Sequence, residues 1–196
     1  MSKRLFDIVV AGIGLVLLAP ALIFIGAWIK WDSPGSALFL QQRVGRHGRP
    51  FNIFKFRTMH DHHAHGAQLT IGRDSRITHA GHFLRRYKLD ELPQLLNVLA
   101  GSMSLVGPRP EVPRYVACYP PELRALVLSV SPGITDWAAI EYKDENTLLA
   151  SSRDPERTYI EHVLPKKLDL YARYVRERSF WVDLRIIFRT LAVVSR

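Results

Sequence analysis

Cysteine is almost absent from this chain, since Cys118 is the one example in 196 residues. A single thiol excludes an internal disulfide framework, and its neighbours Ala117 and Tyr119 offer no base that would activate it as a nucleophile. The sequence also has no P-loop, no GxGxxG dinucleotide fingerprint, no nucleophile elbow and no internal repeat. These absences argue against the nucleotide-binding, hydrolase and repeat architectures that carry such motifs.

Acidic residues are fewer than basic residues in this chain. The chain has 27 Lys and Arg against 18 Asp and Glu, which gives a formal net charge of +9. Such an excess predicts an anionic partner, which could be a nucleic acid, an anionic membrane surface or a phosphorylated substrate. Hydrophobic residues make up 47% of the chain, which is enough to form a packed core.

Residues 8–29 form an apolar run of 22 residues without a charge. A helix of that length can cross a hydrocarbon core of ~30 Å, and Trp28 and Trp31 stand at its end, where interfacial aromatics are expected. Pro20 lies in the middle and predicts a kink. Both flanks are basic, so the loop charges give no orientation. A single span and a re-entrant helix that enters and leaves by one face both remain open.

The rest of the sequence predicts a mainly α-helical domain with a small β-hairpin. The anchor occupies residues 1–32 and the domain residues 33–196. Alternating apolar residues and turn glycines predict strands over 38–44 and 50–59, and helical spacing predicts helices over 79–87, 89–99, 122–128, 157–175 and 180–194. The last helix is amphipathic and basic, which suits either an interfacial position or packing on the core.

Asp90 and Glu91 form the most informative pair of residues. Pro93 is tolerated in a helix only near the first turn, which predicts that Asp90 lies at or beside a helix N-cap. A helix start favours anions, and adjacent carboxylates can divide the roles of nucleophile and metal or proton partner. A plain helix cap beside a solvated acid is the simpler interpretation of the pair alone.

Cations cluster around this pair in the sequence. Arg85 lies just upstream, and Lys55 and Arg57 would share one face of a strand. Arg109 stands between Pro108 and Pro110, a rigid setting for bidentate phosphate binding. The cations together predict a diphosphate substrate. His60, His62, His63 and His65 could bind a metal ion, although Gly66 beside them favours an exposed loop.

The whole sequence resembles the monotopic phosphoglycosyl transferases, the bacterial sugar transferases that prime surface glycan synthesis, in their minimal catalytic form. The resemblance is carried by motifs at residues 3–7, 42–45, 54–59, 76–78, 84–95, 103–111 and 132–135. It implies transfer of a sugar 1-phosphate from a UDP-sugar to polyprenyl (undecaprenyl) phosphate, with release of UMP. The motif over 84–95 and the Gly-Pro-Arg-Pro motif at 107–110 are the most specific.

The resemblance also implies roles for individual residues. Asp90 would be the nucleophile that attacks the β-phosphate and a ligand of Mg²⁺, and Glu91 would assist with the metal or the acceptor. Lys55 and Arg85 match cationic positions near the phosphates, and Arg109 matches a position near the nucleotide. Two departures from the family pattern are Ser102, where Asp is common, and Asp136, where Gly is common.

For the membrane anchor, the resemblance implies a re-entrant helix broken at Ala19-Pro20, with both ends on the cytoplasmic face of the bacterial inner membrane. The family often has Ser at the position of Ala19. Phospholipid is then an expected partner, nucleic acid is not, and a homodimer is possible. The alternative hypothesis is a non-catalytic, membrane-tethered module that binds nucleic acid or anionic lipid, but it leaves the acidic pair without a role.

Overall fold

A computed structural model describes residues 2–60 and 74–194 of the chain. The described part is mainly helical with little sheet, as the sequence predicts. The helices are α1 (Ser2–Asp32), α2 (His79–Arg86), α3 (Gln94–Ala100), α4 (Pro113–Val116), α5 (Pro121–Val127), α6 (Trp137–Glu141), α7 (Glu145–Ala150), α8 (Pro155–Thr158), α9 (Leu164–Glu177) and α10 (Phe180–Val194). The strands are β1 (Leu38–Val44), β2 (Pro50–Phe56), β3 (Ser104–Val106) and β4 (Gly133–Thr135).

The predicted hairpin is present. Strands β1 and β2 pair antiparallel, with Leu38 opposite Phe56 and Val44 opposite Pro50. Strand β2 ends at Phe56, three residues earlier than predicted, and the Arg57 N–H donates to the carbonyl of Ala37, just before β1. The parallel pair of β3 and β4 was not predicted from the sequence.

Two of the predicted helices are divided. The segment over 89–99 begins with a 3₁₀ turn, Leu89–Glu91, and only then enters α3. The segment over 157–175 passes from α8 through a π-helical turn, Tyr159–Val163, into α9. A proline explains each division, because Pro93 and Pro165 have no N–H to continue the helical ladder.

Helix α1 is the one helix of the described residues that is long and apolar enough to cross a membrane. It is helical from Ser2 to Asp32 with Pro20 inside. Its middle is open to the surroundings, since Val16, Leu17, Ile23 and Phe24 are between 70% and 75% exposed. Apolar side chains that remain this exposed on a helix of this composition suit a lipid environment.

The start of α1 contacts the domain. Arg4 donates to the carbonyls of Val98 and Leu99 over 2.6 and 2.9 Å. Asp7 is buried and accepts hydrogen bonds from the Ser104 hydroxyl and the Leu105 N–H.

The end of α1 contacts the same domain. Ile25 and Ile29 are buried in a cluster with Phe56 and Leu84. Asp32 accepts a 3.0 Å hydrogen bond from the N–H of Ala80, at the start of α2. The two ends of the apolar helix are therefore fastened to one folded unit.

Candidate active site

The predicted acidic pair lies in a tight turn between α2 and α3. Lys88 adopts a left-handed conformation with φ of 55° and reverses the chain before the Leu89–Glu91 turn. Pro93, not Asp90, is the N-cap residue of α3. Asp90 thus lies one turn ahead of the helix instead of at its cap, and it is only 8% exposed.

Glu91 is paired with two cations from distant parts of the chain. The Lys55 ammonium lies 2.9 Å from its Oε1 atom, and Arg109 donates to both carboxylate oxygens. Burial by itself raises the pKa of Glu91, but the charges of Arg109 and Lys55 outweigh burial and hold the pKa well below its ordinary value. Glu91 is therefore ionised and carries the counter-charge for both cations.

Asp90 is in a contrasting state. Its Oδ1 atom is buried and has no hydrogen-bond partner among the described residues. Burial, and then the charge of Glu91, raises the pKa of Asp90, and Lys55, Arg85 and Lys88 offset part of that rise. A carboxylate oxygen with cations nearby but no hydrogen bond is well suited to nucleophilic attack on a phosphoryl group.

Arg85 reaches the site from the last turn of α2. Its Nε atom donates a 3.0 Å hydrogen bond to the Thr58 hydroxyl, and its charge lowers the pKa of Asp90. The structure thus places Lys55, Arg85 and Arg109 around the acidic pair.

Arg57 does not join this group. Its side chain is buried, and all three guanidinium nitrogens donate to backbone carbonyls, those of Ser33, Pro34 and Ser36. The alternation argument failed because β2 ends at Phe56, before Arg57. Arg57 therefore fastens the turn that follows α1, and this arrangement does not suit the predicted role in substrate binding.

Arg109 lies on a loop, and hydrogen bonds hold the residues on both sides of it in place. The Gly107 N–H donates to Thr135, and the Pro108 carbonyl accepts from Gly133, each at about 3 Å. Arg43 donates to the Pro110 carbonyl over 3.0 Å. Gly133 has no room for a side chain here, because a Cβ would lie 2.1 Å from the Gly107 nitrogen. Pro108 and Pro110 therefore act as fixed loop supports around Arg109.

A buried ionic network lies behind this loop. Glu111 accepts a 2.7 Å hydrogen bond from the Tyr159 hydroxyl and lies 3.4 Å from the Lys167 ammonium. Lys167 also pairs with Glu145 at 3.1 Å, and Arg43 lies 3.6 Å from Glu111. This network was not predicted from the sequence, because its members are separated by up to 124 positions.

Asp136 is a further buried acid near the site. It is 1% exposed, its Oδ1 atom caps α6 through the Ala139 N–H, and burial raises its pKa to about 6. Its Oδ2 atom has no partner within the described part of the chain. The charge of Asp136 in turn raises the pKa of Arg109, after the larger effect of Glu91.

The donor set suits one hard cation that also binds substrate. No group of three or more His, Cys, Asp or Glu residues that could hold a metal occurs within residues 2–60 and 74–194. Mg²⁺ commonly uses one or two carboxylates and completes its shell with phosphates and water. The free Oδ1 atom of Asp90 fits that role better than Glu91, which is already paired. Of the four clustered histidines only His60 is described, so the suggested histidine metal site lies outside the described residues.

Comparisons with known proteins agree with one another. A family model described as bacterial sugar transferase matches residues 1–196. The chain is 38% identical over 98% of its length to a UDP-N-acetylgalactosamine-undecaprenyl-phosphate N-acetylgalactosaminephosphotransferase of Aeromonas hydrophila, and covers 43% of that protein. It is 39% identical over 97% of its length to a UDP-glucose:undecaprenyl-phosphate glucose-1-phosphate transferase of Xanthomonas campestris pv. campestris, and covers 38% of it.

A shorter relative covers nearly the same region. An uncharacterized sugar transferase of Bacillus subtilis is 38% identical over 98% of this chain, which spans 86% of that protein. The chain thus spans about two fifths of the first two relatives and most of the third.

Proposed function

The chain belongs to the bacterial sugar transferase family, and from that premise we propose that it is a phosphoglycosyl transferase. It moves a sugar 1-phosphate from a UDP-sugar to undecaprenyl phosphate and releases UMP. The observation that carries the proposal is Asp90, a buried carboxylate with an oxygen that lacks a hydrogen-bond partner among the described residues and has cations around it.

In the first step an Asp90 oxygen attacks the β-phosphorus of the UDP-sugar. The bond from that phosphorus to the bridging oxygen breaks, UMP leaves with the bridging oxygen, and the sugar phosphate remains on Asp90 as an acyl phosphate. In the second step a phosphate oxygen of undecaprenyl phosphate attacks the same phosphorus and the Asp90 oxygen leaves. One phosphoanhydride replaces another, so the exchange needs little driving force, and both substrates use one site in turn.

The residues around Asp90 have separate tasks in this scheme. Lys55, Arg85 and Arg109 stabilise the negative charge of the phosphoryl oxygens, and burial strengthens that effect. Asp90, with Glu91 beside it, would hold Mg²⁺, which supplies charge neutralisation of the diphosphate when bound.

We further propose that the protein lies on the cytoplasmic face of the bacterial inner membrane with α1 as a re-entrant helix bent near Ala19-Pro20. Support comes from the two ends of α1, which contact one folded unit, while the middle is exposed. Helix α10 would lie in the interface: Ile186 is buried against the core, whereas Trp181 is 77% and Phe188 66% exposed.

The covalent step can be tested with the donor alone. Incubation with UDP-sugars and Mg²⁺ should add one phosphosugar to the intact protein by mass spectrometry, and Asp90→Asn should abolish both the adduct and UMP release. We expect the loss in turnover to be on the order of 10⁴-fold. Asp169→Asn, an exposed acid on α9, is the matched control and should keep both signals. An Asp90→Asn protein that turns over at the native rate would refute the scheme.

A further inference from the structure

Three aromatic side chains form a continuous row, called here the aromatic ladder: the half-buried Trp28 and the exposed Phe83 and Tyr87. The ring centroids of Trp28 and Phe83 are 5.6 Å apart, and those of Phe83 and Tyr87 are 4.8 Å apart. Phe83 is 46% and Tyr87 41% exposed. Contiguous apolar surface that stays exposed is a feature of interaction sites.

The ladder connects the apolar helix to the catalytic turn. Trp28 is on α1 and Phe83 is on α2, and Tyr87 is the C-cap residue of α2, one turn after Phe83. Helix α2 starts beside Asp32 and packs Leu84 against the last turns of α1, so the row follows the membrane helix. Tyr87 is three residues before Asp90, which places the end of the ladder at the proposed nucleophile.

Positive charge collects at this end of the ladder. The Arg86 guanidinium lies 5.6 Å from the centroid of the Tyr87 ring. Lys88 is two residues before Asp90, and Arg85 approaches the same turn from the last turn of α2, where its Nε atom donates to the Thr58 hydroxyl. An apolar row that begins at the membrane helix and ends in cations matches an amphiphile with a hydrocarbon chain and a phosphate head.

We propose that the aromatic ladder binds the first isoprene units of the polyprenyl phosphate acceptor and guides its phosphate to Asp90. The inference rests on the proposed transferase function, because that function supplies the acceptor. Ring faces suit an unsaturated, branched chain that lies along them, and the exposed surface allows the chain to enter sideways from the bilayer. Simple anchoring of the domain in the lipid headgroups is the competing role for the same rings.

Kinetics can separate the two roles. Phe83→Ala and Tyr87→Ala should each raise the KM for undecaprenyl phosphate roughly tenfold, yet leave the KM for a two-isoprene-unit phosphate unchanged. Formation of the donor-only adduct should also stay at the native level. Trp181→Ala and Phe188→Ala, exposed aromatics on α10, are the matched controls and should weaken vesicle binding without changing acceptor chain-length preference. Equal KM changes in ladder and control variants would overturn the proposal.

A second measurement does not depend on turnover. A photoreactive polyprenyl phosphate should crosslink to the peptide that contains residues 83–87 in the wild-type protein, and excess undecaprenyl phosphate should compete with it. Crosslinks confined to other peptides would overturn the ladder, whether or not the enzyme turns over. A crosslink at residues 83–87 without any UMP release would instead support the ladder and count against the transferase reaction.

Discussion

Asp90 and Glu91 are neighbours of similar chemistry, but their surroundings give them different tasks. Glu91 is held by Lys55 and Arg109, whereas an oxygen of Asp90 has no hydrogen-bond partner in the described part of the chain. Glu91 is therefore paired with Lys55 and Arg109, the two cations that would bind a phosphate of the proposed substrate. An incoming phosphate has to compete with this carboxylate for them.

This competition predicts an unusual effect of Glu91→Gln. Removal of the carboxylate charge leaves Lys55 and Arg109 available, so the variant should bind UDP in EDTA about tenfold more tightly than the wild type, although its turnover falls. Isothermal titration calorimetry measures the affinity directly. Glu141→Gln, an exposed acid on α6, is the control. Weaker or unchanged UDP binding in Glu91→Gln would contradict this role of the carboxylate.

Asp136 predicts a pH-dependent stability. Its pKa is about 6 in the folded chain and near 3.9 when unfolded, so the unfolded state loses its proton first as pH rises. The wild type should lose about 2 kcal/mol of unfolding free energy between pH 4 and pH 6 from this group. In Asp136→Asn the side-chain oxygen can still cap α6, but the amide does not titrate, so the variant should not show this pH-dependent loss of unfolding free energy. Denaturant unfolding should show that Asp136→Asn exceeds the wild type in unfolding free energy by a difference that grows from pH 4 to pH 6 and then becomes constant. A difference in unfolding free energy that does not change with pH would contradict this prediction.

At the scale of elements, the fixed position of Arg109 depends on helices far from it in the sequence. The turn Tyr159–Val163 and helix α9 present Tyr159 and Lys167 to Glu111, two residues after Arg109. Breaking a buried carboxylate contact without replacing it is strongly destabilising to the local arrangement. Tyr159 and Lys167 are therefore positioning residues that act through the loop.

Tyr159→Phe tests this coupling. Loss of the hydroxyl should weaken UDP binding several-fold in the presence of Mg²⁺, and the same change made in an Arg109→Ala background should have no further effect. Tyr142→Phe is the matched control, because this half-buried tyrosine after α6 packs against the same hydrophobic cluster that contains Tyr159. Additive effects of Tyr159→Phe and Arg109→Ala would mean that Tyr159 acts independently of Arg109.

At the scale of the whole molecule, the anchor and the domain form one body. The Lys3 ammonium lies 2.6 Å from Asp183 on α10, and Phe6 packs edge-on against Phe180 with centroids 5.3 Å apart. The start of α1 is thus joined to α10, and its end to α2. A straight passage across the bilayer would place one of these contacts on the far side of the membrane.

Cysteine labelling can test that arrangement, because Cys118 is exposed and is the chain's one cysteine. In a Cys118→Ala background, Leu5→Cys and Trp31→Cys should both react with an impermeant maleimide in inside-out vesicles and not in intact cells. The wild-type Cys118 reports the side of the domain and should behave in the same way. Labelling of Leu5→Cys and Trp31→Cys from opposite sides would show that α1 spans the membrane.

The sequence by itself determined the features that depend on neighbouring residues: the apolar helix, the β1–β2 hairpin, the helical stripes and the acidic pair in its motif. It also placed Lys55, Arg85 and Arg109 near that pair, through the family resemblance. Local patterns sufficed because periodicity and turn chemistry act over a few residues.

The tertiary structure decided what depends on distant partners. It separated the state of Asp90 from that of Glu91, turned Arg57 into a structural residue, paired β3 with β4, and built the network of Glu111 and Lys167. Burial and partners that lie tens of residues away set the charge state and orientation of each of these groups. Burial and long-range contacts exist only once the chain has folded.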